Sequence, residues 1–204
     1  MKKIRLVVYI LLLTAMLASC SSEPEKDEGD VVLTDAQLKG FDNKILSTLA
    51  NDGFVFNVKK QSEKLTELPV TIELYKKGKL AGPLLEADII GSEGEKKTKF
   101  MIAKQLFDDD KDVKQKWIIA SFSHEIESSF EGLEDKITGP SPFSMASTYA
   151  KLPLKLNKGE KKTIAAFVST NFNGIAESDL EAVLKNPKAT SKYERVYLIR
   201  IEAK

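Results

Sequence analysis

The chain has 204 residues, with 31 Lys and Arg against 30 Asp and Glu, for a formal charge of +1. That near-neutral, mixed balance argues against a nucleic-acid footprint. The single cysteine and single histidine exclude a disulfide scaffold and a multi-histidine zinc site.

Lys2, Lys3 and Arg5 open the chain, and residues 6–19 are apolar apart from Thr14 and Ser19. Such a run spans about 21 Å as a helix, short of the roughly 30 Å hydrocarbon core of a bilayer. A basic start, a short apolar run and small residues at its end describe a cleaved signal peptide. The ending Leu17-Ala18-Ser19-Cys20 resembles the lipobox of bacterial lipoproteins. The resemblance implies diacylglyceryl transfer to the Cys20 thiol and cleavage just before it. The chain is then expected at the cell membrane, held by lipid on Cys20 and facing the exterior, or the periplasm in a two-membrane cell. Lipidation also accounts for an unpaired cysteine in an exported protein, and two acyl chains give an anchor that one does not.

Cleavage removes three basic residues and no acidic one, so the charge moves from +1 to −2. The next ten residues, 21–30, hold five acids against one Lys and no large apolar side chain. Such a composition buries too little to fold and reads as a tether. The expected division is a signal peptide over 1–19, a lipidated Cys with an acidic flexible tether over 20–32, and one domain over 33–204.

Thr34-Asp35-Ala36-Gln37 has the form of a capping box, and Leu38, Phe41, Ile45 and Leu49 follow at helical spacing. An N-terminal helix is expected there, weakened by Gly40; a strand over 44–49 is the alternative. From Phe54 the apolar period becomes two. Strands are predicted around Phe54 to Val58, Val70 to Leu74, Leu85 to Ile89, Phe100 to Leu106 and Ile118 to Ile126. Others are predicted around Leu152 to Leu156, Ile164 to Val168 and Val196 to Ile199, the last apolar on both faces and so central. A short helix from Ser178 as N-cap ends at Asn186-Pro187. Prolines 140 and 142 exclude a central strand from 128–150, which reads as a long loop with at most an edge strand near Met145 to Tyr149. The fold class is therefore mainly β: an immunoglobulin-like sandwich of about eight strands with two helical interruptions.

Few chemistries survive this reading. With Cys20 at the anchor, no cysteine remains in the domain as a nucleophile. His124 falls in phase with Ile118, Ala120, Phe122 and Ile126, as a packed histidine does, while Ser121 and Ser123 lie on the opposite face. No phosphate-binding Gly-rich loop is present, and no cofactor is called for. Asp108, Asp110 and Asp112 have a spacing that could place oxygens around Ca²⁺, but Lys111 interrupts them and no Gly supplies the turn. Trp117 is out of phase with the apolar set of its strand and is expected to be buried under a helix, with an exposed contact residue as the alternative. Phe130, Phe143, Tyr149, Phe172 and Tyr193 are loop aromatics, a partner patch if clustered and core plugs if scattered. The leading expectation is a non-enzymatic envelope lipoprotein that binds a protein partner through loops or a sheet edge. A small-ligand or Ca²⁺ receptor is the alternative, and a carboxylate hydrolase comes third.

Overall fold

Two-residue alternation gives each strand one face to bury. The computed structural model, which describes residues 29–90, 97–109, 112–122, 127–134, 144–171 and 174–204, stacks these strands as two antiparallel sheets. The first sheet holds β1 (Val31–Asp35), β2 (Asp52–Lys60), β5 (Lys97–Asp109), β6 (Asp112–Phe122), β7 (Glu127–Glu134) and β9 (Leu154–Leu156). Their order is β7-β6-β5-β2-β1-β9. The second holds β3 (Pro69–Lys76), β4 (Lys79–Asp88), β8 (Ser144–Tyr149), β10 (Lys161–Thr170) and β11 (Arg195–Glu202), in the order β4-β3-β11-β10-β8. The helices are α1 (Phe41–Leu49) and α2 (Glu177–Lys185), followed by a 3-10 helix at Pro187–Lys192. The molecule is a mainly β sandwich, as the patterning predicts.

The core lies between the sheets. Phe56, Phe100, Ile102, Trp117 and Ile119 of the first face Val70, Ile72, Phe167, Tyr197 and Ile199 of the second. Phe56 stacks on Phe100 at 5.2 Å between centroids, and Trp117 meets Phe167 edge-on at 4.9 Å, geometries that add to simple burial. β11 is central, as its sequence predicts. Its Val196 and Leu198 turn to the opposite face, where α2 covers them with Leu180 and Val183. The middle of the second sheet, at β10 and β11, is thus buried on both faces where α2 covers it. On the open flank, β7 closes on β4 at Gly132, where a Cβ would lie 2.9 Å from the Leu84 carbonyl oxygen.

Several expectations are corrected. The described strands number eleven rather than about eight. β1 takes Val31 and Val32, grouped with the tether over 20–32, and buries both. Thr34 is no N-cap, because it pairs with Asn57 in the ladder. The Gln37 amide instead donates to Asp35 Oδ1 in a local turn, and α1 starts only after Gly40, whose φ of 55° suits glycine. In the stretch 128–150, β8 is the edge strand expected near Met145 to Tyr149, but β7 forms a further edge strand where a loop is expected. Ser178 does not cap α2; Ala176 holds that position without a side-chain bond. Asn186 instead caps the 3-10 helix by accepting from the Lys188 amide at 3.0 Å. In β6 the phase is inverted. Trp117, Ile119 and Ser121 face the other sheet, while Ile118 and Phe122 point away from it.

Candidate functional site

That inversion exposes an apolar floor on the outer face of the first sheet. The register sets Val55 opposite Met101, Met101 opposite Ala120, Ala103 opposite Ile118, and Lys99 opposite Phe122. All project away from the core, because their neighbours in the chain project into it. Across from this floor, Leu38, Leu46 and Ala50 of the α1 segment form a roof, and a cavity of about 510 Å³ lies between the two. Val55, Met101 and Ile118 are only half-buried, so the helix shelters the floor without filling it.

The cavity continues at Lys99 and Phe122 into a second hollow of about 820 Å³ lined by Val32, Thr34, Asn57, Lys59, Lys97, Thr98 and Pro153. Both volumes fall in the range of roughly 300–1,000 Å³ usual for small-molecule sites. Here the register places Lys59 opposite Lys97 and Asn57 opposite Lys99. Like charges directly opposed across two strands are unfavourable, and none of the described residues lining the two hollows is acidic. At the other end, past Gln105 and Ala50, the groove opens to Ser47, Thr48, Asn51 and Lys116. The Lys116 ammonium is already met there by Glu131 at 2.7 Å. Lys97 and Lys99 pair with no carboxylate among the described residues. The groove is thus apolar along its length, cationic at one end and neutralised at the other.

The family model described as the YgaN domain matches residues 32–203, from β1 to the residue after β11. The chain belongs to the YgaN domain family. No curated protein and no solved structure matches it. The match takes in both sheets, both helices and the groove, so the groove is part of the YgaN domain itself.

A second polar feature of the YgaN domain lies inside the sandwich. Lys104 follows Phe100 and Ile102 in phase and is buried, with Gln115 and Trp117 beside it on β6. Its ammonium sits 5.1 Å from the Phe167 ring centroid and 3.9 Å from Met145 Sδ. Burial holds its pKa below the ordinary lysine value, opposed in part by the Asp52 carboxylate. Gln115 Nε2 and Trp117 Nε1 are buried without a hydrogen-bond partner. On the surface, Asp179 is held as an anion by Lys192, and Glu160 by the Asn157 amide and Lys162. Glu73 is occupied by Arg200 at 3.1 Å and Lys161 at 3.2 Å.

The structure disperses most residues singled out from sequence. Cys20, Asp110, His124, Phe143 and Phe172 lie outside the described residues. Asp108 and Asp112 belong to the paired ends of β5 and β6, with Asp109 opposite Asp112. Among the described residues, no group of three or more His, Cys, Asp or Glu is placed to hold a metal ion. Trp117 is buried in the core itself, not under a helix. Phe130 stands on edge strand β7, Tyr149 on edge strand β8 against Phe54, and Tyr193 is buried beneath α2, so these three form no patch. The groove residues Val55, Lys97, Lys99, Met101 and Ile118 were missed. Their one legible signal is that β5 and β6 carry apolar residues in both phases.

Proposed function

We propose that this protein is an exported, lipid-anchored envelope protein that works by binding rather than catalysis, with its ligand entering the groove between α1 and the first sheet. The observation that carries the binding reading is the half-buried apolar floor of Val55, Met101 and Ile118 beneath Leu38 and Leu46, joined to a polar end. A largely preformed apolar cleft with a few convergent polar groups is the usual form of a small-ligand site. The anchor rests on the lipobox-like ending at Cys20, which would hold the domain at a membrane surface.

A second reading, a protein partner added along an edge strand, is favoured by β8. Its sequence Ser144-Met145-Ala146-Ser147-Thr148-Tyr149 has no charge and no proline, and it pairs with β10 without a bulge. β4, in contrast, carries Pro83 and two register shifts, and β9 has three residues. A flat uncharged edge is the kind that accepts an added strand.

One experiment separates the two. Phe122 or Met145 is replaced in the full-length chain, in cells, by photoreactive benzoyl-phenylalanine. Cross-links from position 122 to a species of small mass support the groove. Cross-links confined to position 145, and to a protein, move the function to the edge. If neither position captures anything while the chain is correctly located and folded, the binding reading is lost.

A further inference from the structure

The polarity of the groove specifies a ligand class, an inference that rests on the groove-binding reading above. We propose that the groove takes a long-chain fatty-acid anion, with its acyl chain beneath α1 and its carboxylate between Lys97 and Lys99. The floor offers the chain Val55, Met101, Ala103 and Ile118, which supply apolar contact and no hydrogen-bonding side chain. The adjoining hollow offers Lys97 and Lys99 one pleat apart on β5, with Asn57 directly opposite Lys99. An anion there gains charge-assisted hydrogen bonds from Lys97 and Lys99.

The direction of binding follows from charge. Lys116 at the far end is already neutralised by Glu131, so a carboxylate gains little from lying there. The sheltered space beneath α1 is a channel of about 510 Å³, roofed by Leu46 and Ala50 and floored by the sheet, which suits a single acyl chain, and the adjoining hollow at Lys97 and Lys99 is left for the headgroup.

The test uses the full-length chain in nanodiscs of zwitterionic phosphatidylcholine, photolabelled with a diazirine analogue of hexadecanoic acid. Label is expected on the segments that carry Met101 and Ile118. Hexadecanoate is expected to displace it at about tenfold lower concentration than hexadecanol, the value of one charged contact. The double variant Lys97→Gln, Lys99→Gln, altering two exposed side chains, should erase that difference without shifting the melting temperature. Met101→Trp should block labelling by filling the channel. Equal displacement by acid and alcohol overturns the carboxylate assignment and leaves groove binding standing. Stronger displacement by lysophosphatidylglycerol overturns it in favour of a phospholipid. Label absent from both segments of a chain that melts normally overturns the amphiphile altogether, while the cross-link at position 122 judges groove binding independently.

Discussion

The Lys104 ammonium lies 5.1 Å from the centroid of the Phe167 ring, at an interface of two sheets dominated by apolar and aromatic side chains. Desolvation of a buried ammonium costs several kcal/mol, and a cation over an aromatic face recovers only about 2 kcal/mol of it. Asp52, opposite on β2, attracts the charge but forms no ion pair with it among the described contacts. Lys104→Met keeps the length of the side chain and removes the charge. It is expected to raise stability at neutral pH by about 1–4 kcal/mol, read from the midpoint of urea unfolding. The pH dependence has a definite sign. Because the folded pKa is depressed, the unfolded chain holds its proton up to 10.5 while the folded chain releases it earlier. Stability from this group therefore rises with pH between those two points, and the rise should vanish in Lys104→Met. A loss of more than about 1 kcal/mol in that variant would mean the aromatic contact outweighs desolvation.

Tyr193 contributes the opposite slope. Burial, with the Asp179 carboxylate beside it, pushes its phenol up to about 12. The unfolded chain loses that proton near 10.0, so the contribution is full below that pH and is lost as the pH climbs to about 12. Burial and Glu73 also raise Tyr75, so ultraviolet titration of the tyrosinate band should show late ionisation that Tyr193→Phe removes in part. Asp179→Asn should move the Tyr193 phenol down only in part, because burial is the larger cause.

The two faces of β6 make a direct test of phase. Trp117 is fully buried between the sheets, whereas Phe122 is 36% exposed on the groove face. Trp117→Ala is expected to cost about 3–5 kcal/mol, and Phe122→Ala under about 1 kcal/mol, both measured by chemical denaturation. The reverse order would restore the phase expected from the sequence.

The inverted phase of β6 has a physical reason. β6 places Ile118 and Ile119 side by side, so period two supports either face, and Phe122 and Ile126 favour the one that the structure turns outward at Phe122. β11 is also apolar on both faces, but there the ambiguity does no harm, since both faces are buried by the core and by α2. Lys104 continues the phase of Phe100 and Ile102, yet lysine is so seldom buried that the pattern alone does not mark it as core. β7 carries too few apolar residues to announce itself, and β1 is a five-residue strand whose run Val31-Val32-Leu33 does not alternate. They exist because β2 and β6 offer them edges. The groove is legible only as apolar residues in both phases of β5 and β6. Its floor depends on the cross-strand register of β2, β5 and β6, and its roof on where α1 docks, and neither is a local property of sequence.

Closure of the sandwich depends on a glycine. β7 and β4 are edge strands of different sheets, and they approach so closely at Gly132 that a Cβ there would lie 2.9 Å from the Leu84 carbonyl oxygen and 3.3 Å from Leu85 Cβ. The nearer obstacle is backbone and cannot rotate aside. Gly132→Ala should therefore destabilise by about 1–3 kcal/mol through overpacking, with a lower melting temperature. Ser129→Ala, at an exposed position on the same strand, should leave the melt unchanged. Equal melts for the two variants would show that the sheets separate at no cost.

The anchor is testable without reference to the domain. The apolar run 6–19 reaches about 21 Å as a helix against the roughly 30 Å of a hydrocarbon core, so it is a poor permanent span. Membrane attachment of the mature chain would then depend on lipid at Cys20, the only thiol in the sequence. Cys20→Ala should abolish incorporation of labelled palmitate and shift the chain from the membrane fraction to a soluble or uncleaved precursor form. Tryptic protection of the domain should be unchanged, because the substitution lies eleven residues before β1. A variant that stays with the membrane at wild-type size, still unlabelled, would show that something other than Cys20 holds it there.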